Sequence, residues 1–264
     1  MATSRGSAPQ LAYVLHQHDW SETSLIVELF TRSQGRMVVA AKGAKRPTSN
    51  FRALLLPFQP LLVALGKTPA DDAAEIYNLR SAEFAGGRPL LAAAAMFPAF
   101  YANELLLKLL ARQDPHPALF DAYADTLAAL ATGAEEAPAL RAFELVLLRE
   151  LGWLPGLDTD TLTAEPLRDE APYTLRADAG LVAQPEGLPG AVWRTLEVAL
   201  AVAAELAQAH PGSGGGMAAL RETCTSVAPA LRGPLRSLLH YHLGPLPLRT
   251  REVWRGLQRL AAPR

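Results

Sequence analysis

Over the first eighty residues the apolar positions come in short runs. Leu11–His16 and Ser24–Thr31 are dense in Leu, Val and Ile. In the second run Leu25, Val27 and Leu29 alternate with Ile26, Glu28 and Phe30. Gln34-Gly35 supplies a turn and Arg36–Lys42 is another β-rich run, so residues 24–42 read as a hairpin. Leu61–Leu65 and Glu75–Leu79 add two strands, with Gly66, Pro69 and Asp71-Asp72 marking the turn between them. Five short strands with little helix predict a small closed or partly closed barrel. The pattern fits a five-stranded oligonucleotide-binding (OB) barrel and an SH3-like barrel alike.

After Ser81 Ala and Leu take over and the period becomes helical. Tyr101, Leu105 and Lys108–Leu109 place a helix over Phe97–Ala111, closed by Asp114-Pro115, and a second runs from Pro117 to Ala131. A third opens at Glu135–Pro138, shows one apolar face through Leu140, Phe143, Leu147 and Leu151, and stops at Gly152. Residues 153–190 hold five prolines and many acids and interrupt the helices. Within them Tyr173–Arg176 and Gly180–Ala183 can pair as a small hairpin around Asp178, and the carboxylates at 158–186 read as solvated loop. Helices resume at Pro189–His210. The run 211–216 reads as a flexible linker, and two or three more helices follow with a break at Gly244–Pro247. The predicted architecture is α+β. A barrel occupies 1–82, and a mainly helical domain occupies 83–264 with a Pro-rich, hairpin-bearing insertion at 153–190.

Charge changes the picture more than composition does. The formal net charge is −1, which taken alone argues against a polyanionic partner. Yet residues 1–80 carry nine Lys/Arg against six Asp/Glu, 81–216 carry eight against eighteen, and 217–264 carry eight against two. A basic front and a basic tail flank an acidic middle, and such asymmetry signals a partner. One cysteine, Cys224, excludes an internal disulfide framework and a multi-cysteine zinc module; in a helical stretch without a His partner it reads as a small buried thiol. The apolar run Leu90–Ala102 is too short to span a bilayer, and the polar Met1–Gln10 lacks a signal-peptide core. A soluble cytoplasmic protein is expected.

Candidate catalytic motifs fail on spacing. Gly66-Lys67-Thr68 resembles the end of a phosphate-binding loop, but the first glycine of that motif would fall on Leu61 in a strand-like run. His240 and His242, two apart on a helix, diverge, and His16 and His18 sit at a strand end without a third ligand nearby. No Gly-x-Ser-x-Gly elbow occurs. Nothing supports an enzyme, a cofactor or a metal.

The basic stretch carries the strongest chemistry. From Leu29 to Ala70 there is no Asp or Glu, but there are Arg32, Arg36, Lys42, Lys45, Arg46, Arg52 and Lys67. Arg32 and Arg36 flank the hairpin turn, and Lys42, Lys45 and Arg46 lead into the loop 43–50. Positive charge gathered on a barrel rim attracts a phosphate backbone. Phe30, Phe51 and Phe58 are interleaved, either as barrel core or as faces on which unpaired bases stack. At the other end Arg251, Arg255 and Arg259 are spaced four apart and line one helical face, suited to DNA or to docking on the acidic middle.

Several stretches resemble the RecO family of bacterial recombination mediators. They are Asp19-Trp-Ser-Glu-Thr-Ser-Leu25, Gly35-Arg36, Ala41-Lys-Gly-Ala-Lys45, Leu56-Pro-Phe-Gln-Pro-Leu61 and Leu79-Arg-Ser-Ala-Glu83 in the first part of the chain. Tyr101-Ala-Asn-Glu-Leu105, Arg141-Ala-Phe-Glu-Leu145 running to Leu151-Gly152, and Leu248-Arg-Thr-Arg-Glu252 follow in order. The resemblance is weakest at 153–216. It implies an OB barrel followed by a helical domain that binds single- and double-stranded DNA and anneals complementary strands. It also implies contact with single-stranded DNA-binding protein (SSB) and, with RecR, assistance in loading RecA onto SSB-coated DNA. The DNA-binding residues expected from the acid-free stretch are Arg32, Arg36, Lys42, Lys45, Arg46 and Arg52. Many members carry a four-cysteine zinc site after the Leu-Gly helix end; here 153–190 has no cysteine, so zinc is not expected and packing must hold the hairpin. Arg141 matches a position implicated in holding the acidic, Phe-terminated SSB tail. Local pairing of Arg141 with Glu144 or Glu136 is the competing reading, and a protein-interaction adaptor with incidental DNA contact is the competing function.

Overall fold

The computed structural model describes residues 8–66, 76–86, 90–210, 215–245, 247–250, 252–253 and 256. They fall into two compact units: the described residues up to Phe120 together with those from Arg249 onward, and those of 121–248.

In the first unit β1 (Gln10–Asp19), β2 (Leu25–Thr31), β3 (Gly35–Ala41), β4 (Leu61–Leu65) and β5 (Ile76–Phe84) close in the order β1-β2-β3-β5-β4, and helix α1 (Phe51–Leu54) lies between β3 and β4. The β3–β5 pair is parallel and the rest are antiparallel. This is an OB-like barrel, and the predicted strands lie within a few residues of the observed ones. Its interior takes one side of each strand: Ala12 and Val14, Val27 and Leu29, Met37 and Val39, Leu61, Val63 and Leu65.

Strict alternation fails on β1 and β2 because their outer face is buried as well. Tyr13 and Phe30 pair across the strands, are 2% and 0% exposed, and pack within 5.5 Å and 5.4 Å (ring centroids) of Phe120. Helix α2 (Ala93–Leu109) also covers β1. A bulge interrupts the β1 register between Val14 and His16, and buried Asn103 of α2 donates its Nδ2–H to the Leu15 carbonyl at 3.0 Å. A carbonyl freed from the ladder thus keeps a partner, as buried backbone requires.

Glu104, one residue on, reaches in a different direction. Its carboxylate accepts the backbone N–H groups of Arg249 at 2.8 Å and Thr250 at 3.0 Å, the Thr250 hydroxyl at 2.7 Å, and the Lys108 ammonium at 3.2 Å. Burial pushes the Glu104 carboxyl up, but these bonds together outweigh it and hold the group below its ordinary range. Arg249 and Thr250 are helical, so the carboxylate satisfies N–H groups that a helix start leaves open.

The second unit contains most of α3 (Pro117–Ala131), then α4 (Glu136–Glu150), β6 (Pro172–Arg176), β7 (Gly180–Ala183) and β8 (Leu188–Pro189). Helices α5 (Gly190–Ala209), α6 (Gly215–Thr225) and α7 (Ala228–Leu243) complete it. The hairpin expected around Asp178 is β6–β7, widened to three strands in the order β7-β6-β8. Trp193 is fully buried beneath it and donates Nε1–H to the Tyr173 carbonyl at 3.0 Å. Of the expected linker 211–216, positions 211–214 lie outside the described residues, and Gly215 and Gly216 already belong to α6, which corrects the linker reading there.

The reading of 158–186 as solvated carboxylates fits Asp158, Glu165, Asp169, Glu170, Asp178 and Glu186, which are exposed, and is corrected at Asp160. Asp160 is 8% exposed and accepts N–H groups from Leu162 at 2.9 Å, Thr163 at 3.3 Å and Ala183 at 3.3 Å. It ties the approach segment to β7 through hydrogen bonds, and no cysteine is present there to offer a zinc donor set. Glu197 of α5 is a second tether. It accepts from the two terminal guanidinium nitrogens of Arg149 at 2.8 and 2.7 Å and from the Leu157 N–H at 2.9 Å. The Arg149 hydrogen bonds, against the opposing effect of burial, hold its carboxyl below the ordinary range. A carboxyl depressed on folding stabilises above its unfolded value, near 4.5, and that contribution fades as pH falls through the lower folded value. The melting-temperature advantage of the wild type over Glu197→Gln is therefore expected to be full at neutral pH and to shrink below pH 4.5; an advantage that grows on acidification would contradict this.

Candidate nucleic-acid interface

The cationic residues expected at one rim occupy two ends of the barrel. Thr31 pairs with Gly35 at the tip of the β2–β3 hairpin, and Leu25 pairs with Ala41 at its base. Arg32 and Arg36 therefore sit at the tip, while Lys42, Lys45, Arg46 and Arg52 follow the base, roughly 20 Å away along β3 by strand rise. The single-rim expectation is corrected accordingly.

At the tip Arg36 serves the fold. Arg36 is half-buried; its Nε lies 3.5 Å from Glu28, and it donates to the Leu107 carbonyl. Glu28, itself buried, also pairs with Arg112 at 3.5 Å. Arg32 is half-buried, and its backbone N–H donates to Leu11.

At the base, two loops are laced together. The β3–α1 loop (42–50) turns through Gly43 and meets the β1–β2 loop (20–24). The Lys45 backbone N–H donates to the Thr23 carbonyl at 2.9 Å, and Gly43 N–H donates to the Ser24 hydroxyl at 3.3 Å. The Lys45 ammonium sits 3.1 Å from both the Ser21 carbonyl and the Asp19 carboxylate. Lys45 thus fastens the loops. Lys42, Arg46 and Arg52 are exposed, and none is paired with a carboxylate among the described residues. Lys67 lies outside the described residues, as do Arg251, Arg255 and Arg259.

Two residues at this end escaped the sequence reading. Arg80 is exposed on β5; Ala40 pairs with Asn78 in the parallel ladder, so the register that carries the chain on to Lys42 carries β5 on to Arg80. It falls outside the acid-free window, so only strand pairing reveals it. Trp20, 55% exposed, stands between Asp19 and Ser21, the two residues that the Lys45 ammonium engages. The interleaved phenylalanines are not platforms. Phe30 is fully buried, and Phe58 is 6% exposed and packs edge-on against Phe100 at 4.8 Å. Phe51 packs against the barrel core.

In the helical unit Arg141 and Glu144 lie on α4, one turn apart and both buried. Nη2 of Arg141 donates to Glu144 Oε1 at 2.7 Å, with side-chain exposures of 10% and 1%. Of the two pairings considered, that with Glu144 is the one present. Cys224 of α6 shares this interior. Burial pushes its thiol up to about 12, with Arg141 pulling modestly the other way, so it is inert as a nucleophile at neutral pH. Elsewhere, the His16 and His18 rings meet edge-on at 4.3 Å, and no described helix is long and apolar enough to cross a membrane.

Residues 8–87 match the family model described as recombination protein O N terminal, and residues 93–207 match that described as recombination protein O C terminal. The DNA repair protein RecO of Variovorax paradoxus is 48% identical over 272 residues, covering 98% of this chain and 100% of its own. Those of Polaromonas sp. strain JS666 and Verminephrobacter eiseniae are 46% and 45% identical, with the same coverage.

Proposed function

The chain belongs to the RecO family of DNA repair proteins, and from that premise we propose that it is a non-enzymatic recombination mediator. In this reading it binds single- and double-stranded DNA, promotes annealing and, with RecR, helps RecA onto SSB-coated single strands. The observation that carries the reading is the base end of the barrel. Lys42, Arg46 and Arg52 are exposed there in a stretch without a single carboxylate from Leu29 to Ala70, and Arg80 joins them across the β3–β5 ladder. Such a surface takes up phosphates by releasing counterions and is indifferent to sequence, and annealing needs both properties.

Arg36 and Lys45 leave the DNA-binding set and become residues that hold it together, because each is already committed within the barrel unit. Arg32, at the far tip, is peripheral. In this reading the acidic SSB tail docks on the helical unit, and the resemblance offers Arg141 for its terminal carboxylate. Arg141 is committed to Glu144 as Arg36 is to Glu28, so the contact requires that pair to open. Lys42→Ala/Arg46→Ala/Arg52→Ala tests the DNA site, and because all three side chains are exposed the fold should persist. The log–log slope of single-strand affinity against salt should become shallower by about 2, from ~0.7 for each phosphate no longer neutralised. An unchanged slope and affinity would remove the barrel base from the DNA site.

A further inference from the structure

Cations account for affinity to any polyanion but not for a preference between strands. We infer that Trp20 is the platform on which an unpaired nucleobase stacks, so that this end of the barrel favours single strands over duplex; the inference rests on the nucleic-acid reading above. Three observations converge on Trp20.

The first is exposure. At 55% exposed, Trp20 leaves most of a large aromatic surface in water, where an indole is ordinarily covered.

The second is rigidity. Trp20 N–H and Ser21 N–H both donate to the Ser24 carbonyl, at 3.2 and 3.3 Å, and Ser24 N–H returns to the Ser21 hydroxyl at 3.1 Å. Lys45 and Gly43 then clamp the loop from the other side. A side chain carried on a backbone held in advance leaves only its own rotamers to be ordered when a base arrives.

The third is position. Phe30 and Phe58 are interior, and Phe100 is packed against Phe58. Phe84 is 52% exposed, but it lies on β5 opposite Leu61 and makes no described bond with the loop 42–50. Trp20 alone of these aromatics stands beside the loop that carries Lys42 and Arg46. Two acids are close by: Asp19, paired with Lys45, and Glu22, exposed on the loop. Neither covers the ring in sequence or by any described bond.

A base in a duplex has both faces occupied by its neighbours, whereas a base in a single strand can leave the strand and lie on an indole. Stacking displaces no counterions, so it adds affinity without steepening the salt dependence.

The test uses three probes of equal length: an oligodeoxythymidylate, an abasic sugar-phosphate strand and a duplex. Trp20→Ala is expected to bind the thymidylate about tenfold or more weakly than wild type. It should bind the abasic strand and the duplex as wild type does, with an unchanged salt slope and an unchanged melting temperature. Trp20→Phe, which keeps a ring, should retain most of the thymidylate affinity. Undiminished thymidylate binding by Trp20→Ala overturns the stacking assignment, and so does an equal loss on all three probes, which would mark a loop-shaping residue. If the wild-type protein binds none of the probes at low salt, the underlying nucleic-acid reading falls instead.

Discussion

Arg141→Ala is expected to destabilise the helical unit by about 3–5 kcal/mol, because it removes the cationic partner of a carboxylate that is 1% exposed. At a urea slope of about 2 kcal/mol per molar, the unfolding midpoint should fall by more than 1 M. The bond removed is short, charge-assisted and shielded from salt, unlike an exposed pair worth a few tenths of a kcal/mol. Replacing both members by apolar residues, Arg141→Met with Glu144→Leu, removes the buried charges together and should restore most of the midpoint. The double variant is also the proper instrument for the SSB tail. A folded double variant that no longer binds the tail peptide assigns the carboxylate contact to Arg141, and one that binds normally assigns it elsewhere. A wild-type midpoint for Arg141→Ala would show that the pair contributes nothing to stability.

Gly35→Ala should cost the barrel unit about 3 kcal/mol or more, from two sources that add. Gly35 has φ of +68°, a region that disfavours any side chain by about 1–2 kcal/mol. In addition, its Cβ would overlap the Asp114 carbonyl, and that segment has little freedom to retreat. Gln113 N–H donates to the Arg36 carbonyl at 2.9 Å, and the Tyr77 hydroxyl donates to the Gln113 side chain at 3.0 Å. Gly133 provides the control: its φ is +82°, but nothing lies within 4 Å of a Cβ there, so Gly133→Ala should show only the backbone cost. Equal losses in denaturant midpoint for the two variants would mean that the 112–114 segment yields freely.

The strands were legible because a barrel core imposes its own rhythm, and the turn residues at Gln34-Gly35 punctuate it. β5 runs on to Phe84 rather than stopping at Leu79; of its last five residues only Ala82 is buried, so the apolar rhythm is weak there. The hairpin around Asp178 was visible for the same local reasons. The fates of the charged residues were not visible. Arg36, Arg141 and Asp160 look like solvated side chains in one dimension. They are buried because Glu28 and Leu107, Glu144, and the N–H groups of 162, 163 and 183 reach them in the fold. Phe30 could be core or platform until Phe120 was seen to cover it. The cation cluster was found from the absence of acids, but its division between two barrel ends follows only from the β2–β3 register. Family resemblance located the chain's kin but could not separate the cations that bind from those that brace.

The Glu104 carboxylate has a consequence for synthesis. Three of its four donors lie 145 or 146 residues further along the chain. A ribosome completes the five strands long before it delivers Arg249 and Thr250, so the nascent barrel unit waits with a half-buried acid that, of its four donors, only Lys108 attends. During that interval Glu104 is poorly satisfied and the α2 surface around it is unfinished. The α2 face of the barrel unit should therefore be completed only after Arg249 and Thr250 are made, and a fragment ending before Arg249 would leave Glu104 without those three donors.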